Sequence, residues 1–148
     1  MEAWIGVIGA VVGAVIALLG QYISNRSERR ARDAALLLDQ CAHLIALSED
    51  YRNRVWEERN LVANGVVAEW NIGEFRLAEA RLKILCKDKA SVAAIGRLQS
   101  TGQELGKAWR LERSESEALD AAWRNHREAL NNFSQISGDL VRRRISRV

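Results

Sequence analysis

The sequence predicts an all-α protein in which an N-terminal transmembrane helix continues into an antiparallel bundle of three or four helices. Three observations support this prediction. The 148 residues contain no proline, the commonest helix breaker. Residues 3–23 carry no charged side chain. After them, apolar residues recur at intervals of three and four, which is the period of a helix with one buried face.

The apolar run AWIGVIGAVVGAVIALLGQYI is long enough to cross a bilayer. At about 1.5 Å per residue, a helix of this length spans roughly 30 Å, the thickness of a hydrocarbon core. A cleaved signal peptide begins with basic residues, whereas only Met1 and Glu2 precede this run. A buried or interfacial hairpin helix is the remaining alternative, because four glycines dilute the hydrophobicity: Gly6, Gly9, Gly13 and Gly20. The predicted domains are an anchor, residues 1–24, and a cytoplasmic helical bundle, residues 25–148.

Positive charge is concentrated at the two ends of the predicted bundle. Residues 34–137 carry 14 Lys and Arg against 15 Asp and Glu, so the body is close to neutral. Because the arginines follow the span directly, the positive-inside rule predicts a single-pass inner or plasma membrane protein with its N-terminus outside. Residues 34–137 show no stripe of basic side chains along one face, so no nucleic-acid partner is predicted. Contact with anionic lipid headgroups is predicted for Arg26, Arg29, Arg30, Arg32, Arg142, Arg143, Arg144 and Arg147.

Small residues recur at every fourth position within the predicted span. In lipid, such spacing lets two helix backbones approach closely, so it predicts a homo-oligomer. The alternative is that small residues are simply common in short bacterial spans. The predicted self-association face consists of Gly6, Gly9, Ala10, Gly13, Ala14 and Ala17.

Cap residues and spacing predict four helical segments. The first covers residues 26–62 and stops before Asn64-Gly65, and the second covers residues 74–86 after Asn71, which can cap it. The third covers residues 89–109 after an N-cap at Asp88, and the fourth runs from a capping box at residues 114–117 to residue 144. One continuous bent helix in place of the second and third would give a three-helix bundle. Four alternating helices bring the C-terminal arginines beside residues 26–32, and three leave them at the opposite end.

The apolar stripes predict which side chains form the core. In the first helix these are Leu37, Cys41, Leu44, Ser48, Tyr51, Val55 and Val62, with Leu38 and Ile45 alongside. In the third they are Val92, Ile95, Leu105 and Trp109, and in the fourth Leu119, Trp123, His126, Leu130, Phe133, Ser137 and Leu140.

Few residues suit catalysis or metal binding. Cys41 and Cys86 lie on apolar stripes and are predicted to be reduced and buried. His43 follows Asp39 by four residues, but Cys41 points to another side of the helix, so a metal site is not favoured. His126 lies on an apolar stripe and is predicted to be a core histidine. Phosphate-binding, dinucleotide-binding and hydrolase motifs are absent from the sequence, so no enzyme activity, metal or cofactor is predicted.

Trp56 and Trp70 flank the predicted distal turn and allow two interpretations. Large aromatic residues near helix ends are commonly core fillers. Exposed tryptophans are also typical of the centres of protein interfaces, so this pair is a candidate surface for a protein partner.

The succession of a glycine-rich span, an arginine-rich exit and the segment RLAEARLKILCKDKASVAAI resembles uncharacterised single-span bacterial and phage membrane proteins with a helical cytoplasmic domain. The resemblance implies a bacterial or phage setting and carries over no functional residue. It accords with a membrane-anchored interaction and assembly module that binds a cytoplasmic protein. The alternative function is a membrane-perturbing effector, holin-like or defensive, that acts through clustering of its single span.

Overall fold

The computed structural model describes the backbone of residues 2–61, 64–111 and 116–146, and within these ranges the side chains of residues 21, 22 and 24 onward. Four helices are formed: α1 (Glu2–Asn60), α2 (Ile72–Leu85), α3 (Lys89–Leu111) and α4 (Glu117–Ile145). The described residues contain no β-strand, so the predicted all-α class is confirmed. Because α2 ends at Leu85 and a separate helix begins at Lys89, the bundle has four helices, and the three-helix alternative is wrong.

The direction of the helices alternates along the chain. Arg59 at the end of α1 donates a hydrogen bond of 2.6 Å to Asp120 at the start of α4. Near the other end, Val141 of α4 packs in the same core cluster as Leu37 of α1. Helix α4 therefore runs antiparallel to α1, and it ends at the side of the bundle from which residues 26–32 extend. We call this side the proximal end and the side where α1 ends the distal end.

The core lies between the second half of α1 and the other three helices. Its larger, proximal cluster includes Leu37, Cys41, Leu44, Leu82, Ile95, Leu98, Leu130 and Phe133, all buried. Its smaller, distal cluster contains Tyr51, Val55, Leu105, Trp109, Leu119 and Ala122. The first buried residue of α1 is Ala34, and no described residue from 21 to 33 is buried. The helix therefore extends beyond the bundle in the N-terminal direction.

Most predicted core positions of α1, α3 and α4 are buried, and two predictions are wrong. Val92 is 40% exposed, because the buried face of α3 includes Ser91 and Ile95, and Val92 lies about 100° around the helix from Ser91. Leu38 is 54% exposed for the same reason, since it lies one position past the buried Leu37. The predicted core residue Val62 lies outside the described residues.

Two of the predicted helix caps are confirmed. The side chain of Asn71 accepts a hydrogen bond of 3.0 Å from the backbone N–H of Glu74, in the first turn of α2. The carboxylate of Asp88 accepts one of 2.9 Å from the N–H of Ser91, in the first turn of α3. These bonds satisfy N–H groups that have no partner within their own helix, and they fix the starts of α2 and α3.

The start of α4 differs from the predicted capping box. Ser116 is the N-cap, and its hydroxyl accepts a hydrogen bond of 3.0 Å from the N–H of Leu119. Ser114 lies outside the described residues. The helix begins two residues later than predicted, because Ser116 also suits the cap position and brings Asp120 as well as Glu117 into the first turn, where acidic side chains favour the helix dipole.

Helix α1 likewise ends at Asn60, before the predicted stop. Gly65 adopts a φ of 88° in the turn that follows, a conformation that glycine accepts without steric cost.

The predicted membrane span falls on α1, and its side chains up to residue 20 lie outside the described residues. The same holds for the predicted self-association residues Gly6, Gly9, Ala10, Gly13, Ala14 and Ala17. In the part of the chain whose side chains are described, no helix has the combined length and apolar character needed to cross a membrane.

Candidate functional site

A cleft of about 310 Å³ opens between α2 and α3, above a floor provided by α1 and α4. The cleft exists because the connection between α1 and α2 folds back onto α1. Within this connection the N–H of Val67 donates to the Glu58 carboxylate over 2.9 Å, and the Trp70 indole donates to the carbonyl of Leu47 over 3.1 Å. The chain therefore turns back along α1, and α2 begins only at Ile72. With only 14 residues, α2 makes little contact with α3, and the space between them stays open.

One wall of the cleft is aromatic. The ring centroids of Tyr51 and Trp70 are 4.5 Å apart, and those of Trp70 and Phe75 are 5.4 Å apart. Tilted contacts at these distances are favourable for aromatic pairs and hold the rings in place. The indole of Trp70 also donates a hydrogen bond to the carbonyl of Leu47, which orients its ring.

The opposite wall is one face of α3, where glycines alternate with glutamines: Gln99, Gly102, Gln103 and Gly106. A Cβ on Gly106 would stand 2.5 Å from the Tyr51 hydroxyl oxygen, closer than two such atoms can approach. A Cβ on Gly102 would lie 3.4 Å from Cε1 of His126. The absence of side chains at these two positions therefore brings the backbone of α3 close to the cleft floor.

His126 lies at the floor of the cleft and is 1% exposed. Its Nδ1 lies 3.1 Å from the Thr101 hydroxyl, while its Nε2 has no hydrogen-bond partner among the described residues. Burial lowers the pKa of His126 to about 4, and the positive charge of Arg52 lowers it further, while a backbone group of Ser48 acts in the opposite direction. The imidazole is therefore neutral at pH 7, as expected for the predicted core histidine.

The charged groups around the cleft are predominantly cationic. Arg76 and Arg110 line it and have no ion-pair partner among the residues that the structure describes. Glu79 is only 5% exposed, and its carboxylate accepts a hydrogen bond of 2.5 Å from Lys83, which neutralises it. Burial raises the pKa of the Tyr51 hydroxyl and the charge of Arg110 opposes this shift, so the hydroxyl stays protonated.

The arginines predicted to contact lipid differ in their surroundings. Arg26, Arg29, Arg142 and Arg143 are exposed, and Arg32 is exposed beside Glu28 at 3.5 Å. Arg30 is half-buried, and Arg147 lies outside the described residues.

Arg144 has a role inside the bundle. Its Nη2 donates a hydrogen bond of 2.9 Å to the carbonyl of Leu85, the last residue of α2. A carbonyl at a helix C-terminus lacks a partner within its own helix and carries partial negative charge, so this cation satisfies it. The sequence could not indicate this contact, because the two residues are far apart along the chain.

Trp56 and Trp70, the predicted partner surface, differ in their surroundings. Trp56 is 49% exposed near the end of α1. Trp70 belongs to the aromatic wall of the cleft and donates a hydrogen bond into α1. The partner surface stays a prediction, with Trp56 exposed and Trp70 half-buried.

His43 and the two cysteines lie apart from the cleft. Nε2 of His43 is 3.3 Å from a carboxylate oxygen of Glu74 at the start of α2. Cys41 and Cys86 are buried free thiols, and burial raises the pKa of both, that of Cys86 to about 11. Protonated thiols are poor nucleophiles. The described residues contain no cluster of three His, Cys, Asp or Glu side chains able to hold a metal ion.

No protein-family model, curated protein or solved structure matches this chain. The resemblance to single-span bacterial membrane proteins therefore stays a prediction.

The cleft itself was not predicted, although one signal for it was present in the sequence. Gly102 and Gly106 are four residues apart and thus share one helix face, a spacing that indicates close approach of a neighbouring element.

Proposed function

We propose that this chain is a non-enzymatic, single-span membrane protein whose helical bundle serves as an interaction and assembly module. The observation that carries the proposal is the continuity of α1 from Glu2 to Asn60. At about 1.5 Å per residue this helix is roughly 90 Å long. Its contribution to the bundle core begins only at Ala34, so the apolar run of residues 3–23 belongs to the half that leaves the bundle. A bilayer would cover that run.

The charge at the proximal end supports a cytoplasmic bundle. Exposed arginines stand where α1 leaves the bundle, and those at the end of α4 point to the same side: Arg26, Arg29, Arg32, Arg142 and Arg143. Their positions suit the anionic headgroups of the cytoplasmic leaflet. Arg144 is half-buried, and one of its N–H groups is already engaged by the carbonyl of Leu85.

Assembly and partner binding would use three surfaces. The Gly/Ala face of the span would join the membrane helices. In the bundle, a shallow groove at the proximal end is lined by Leu36, Ile84 and Leu85, of which Leu36 is 48% and Ile84 77% exposed. At the distal end, Trp56 and Leu111 are exposed and available to a cytoplasmic protein.

Membrane fractionation of the full chain and of residues 25–148 alone tests the anchor. We expect the full chain to stay in the membrane pellet after alkaline extraction and to be released by detergent, because an apolar helix of this length does not leave lipid. Residues 25–148 should appear in the soluble fraction. Release of the full chain by alkali would contradict the proposal.

Light-scattering mass in mild detergent tests assembly. A dimer or small oligomer of the full chain, larger than that of residues 25–148, supports association through the span. A full-chain monomer at every concentration contradicts it. Loss of membrane potential on induced expression would instead favour the membrane-perturbing effector.

A further inference from the structure

We propose that the cleft between α2 and α3 is a binding site for a small planar aromatic carboxylate. The proposal goes beyond the assembly function and does not rest on it, because the cleft is formed entirely by the bundle. It depends on three features: the size of the cleft, the chemistry of its two walls, and the charge at its distal end.

The size of the cleft suits a small aromatic ligand. A volume of about 310 Å³ lies at the lower end of the range for ligand pockets, which begins at roughly 300 Å³. One wall presents the rings of Trp70 and Phe75, held 5.4 Å apart between centroids. The other presents the backbone of α3 at Gly102 and Gly106. A planar ring between these walls would contact aromatic faces on one side and polypeptide backbone on the other.

The polar groups favour an anion at the distal end of the cleft. Arg110 lines this end of the cleft, and its Nη1 lies 3.8 Å from the position that a Cβ on Gly106 would occupy, where the Tyr51 hydroxyl packs against the α3 backbone. A guanidinium can donate two parallel hydrogen bonds to the two oxygens of a carboxylate. Since Arg110 has no ion-pair partner within the described part of the chain, a ligand carboxylate would not need to displace one.

The other side chains do not favour a cation. Glu79 is neutralised by Lys83, and Arg76 adds a second positive charge to the lining. The amides of Gln99 and Gln103 can donate to or accept from ring substituents. The cleft is therefore positive and partly apolar, and these properties together define the ligand class.

Isothermal titration of the full chain with 2-naphthoate, in detergent micelles and against empty micelles, tests the proposal. We expect saturable binding of one molecule per chain, and at least tenfold weaker binding of 2-naphthamide, which has the same shape without the charge. Absence of saturable binding up to about 1 mM would overturn the proposal.

Charge variants show whether the carboxylate meets Arg110. Arg110→Gln should weaken 2-naphthoate binding about tenfold or more, because a charge-assisted hydrogen bond is lost. Arg97→Gln is the matched control, since Arg97 is an exposed arginine on the same helix that does not line the cleft. Equal weakening by both variants would indicate a general effect of net charge and overturn the assignment.

A blocking variant shows whether the ring enters the cleft. Gln103→Trp places a large side chain in the opening and should abolish binding. Ala93→Trp adds the same side chain at an exposed position of α3 outside the cleft and should leave binding unchanged. Circular dichroism of both variants verifies that they fold. Binding that persists in a folded Gln103→Trp variant would overturn the proposal.

Discussion

His126 shows how burial makes a single side chain sensitive to pH. Its pKa is lowered from 6.5 to about 4 in the folded chain, so the unfolded chain binds a proton that the folded chain does not. Stability contributed by the neutral ring is fully present above about pH 6.5 and is lost as the pH falls toward 4. The pKa values of Asp88 and Asp120 are lowered from 3.8, so these two groups change the stability mainly below that pH. The loss of stability between about pH 6.5 and pH 4 is therefore assigned to His126.

We therefore expect the free energy of unfolding to fall by about 2 kcal/mol between about pH 7.5 and pH 5. Urea denaturation at the two pH values measures this fall. In His126→Gln most of the pH dependence should disappear, whereas His43→Gln should retain it. An unchanged slope in His126→Gln would show that another group is responsible.

Arg144, which is predicted to contact lipid, also makes a hydrogen bond within the bundle. Arg144→Gln removes the hydrogen bond to Leu85 and should lower the free energy of unfolding by about 1–2 kcal/mol. Arg142→Gln is the control, because its ion pair with Asp139 is mostly exposed and should contribute less than about 0.5 kcal/mol. Denaturant unfolding compares them, and equal effects would argue against an internal role for Arg144.

At the scale of a helix, α3 contains glycines in contrasting surroundings. A Cβ on Gly96 would meet no atom within 4 Å, so Gly96→Ala should stabilise the chain by about 0.5–1 kcal/mol through helix propensity. Gly106→Ala should destabilise it by about 1–2 kcal/mol, because its Cβ would collide with the Tyr51 hydroxyl.

Thermal unfolding measures both effects. Adding Tyr51→Phe to Gly106→Ala removes the colliding oxygen and should recover part of the loss. If Gly106→Ala were as stabilising as Gly96→Ala, the close approach of α3 to Tyr51 would be wrong.

The start of α4 depends on one side chain. Ser116→Ala removes the acceptor for the N–H of Leu119 and should cost about 1 kcal/mol of stability. Ser100→Ala, at an exposed position inside α3, should change stability by less than about 0.5 kcal/mol. A negligible effect of Ser116→Ala in chemical denaturation would place the N-cap elsewhere.

At the scale of the whole molecule, we expect the bundle and the N-terminal half of α1 to be energetically separable. No described residue from 21 to 33 is buried, so removal of residues 1–24 should leave the free energy of unfolding unchanged within about 0.5 kcal/mol. Chemical denaturation of the full chain in detergent and of residues 25–148 in the same detergent compares them. A loss of several kcal/mol would show that the N-terminal residues belong to the bundle core.

Much of the core was predictable from the sequence, whereas the cleft was not. Leu37, Leu44, Leu130 and Phe133 are buried as predicted, because apolar residues spaced by three and four share one face of any helix. The cleft depends on how residues 64–71 turn back over α1 and delay the start of α2. No periodic pattern encodes that path.

The sequence by itself determined the helical class, the three helix starts near residues 72, 89 and 117 to within about three residues, and the placement of charge at the chain ends. These properties follow from interactions between residues a few positions apart. Only the tertiary structure decided that Arg144 caps α2, that Trp70 and Tyr51 form one wall, and that Gly106 contacts Tyr51. Such contacts join residues from different helices, and their existence depends on how the helices pack together.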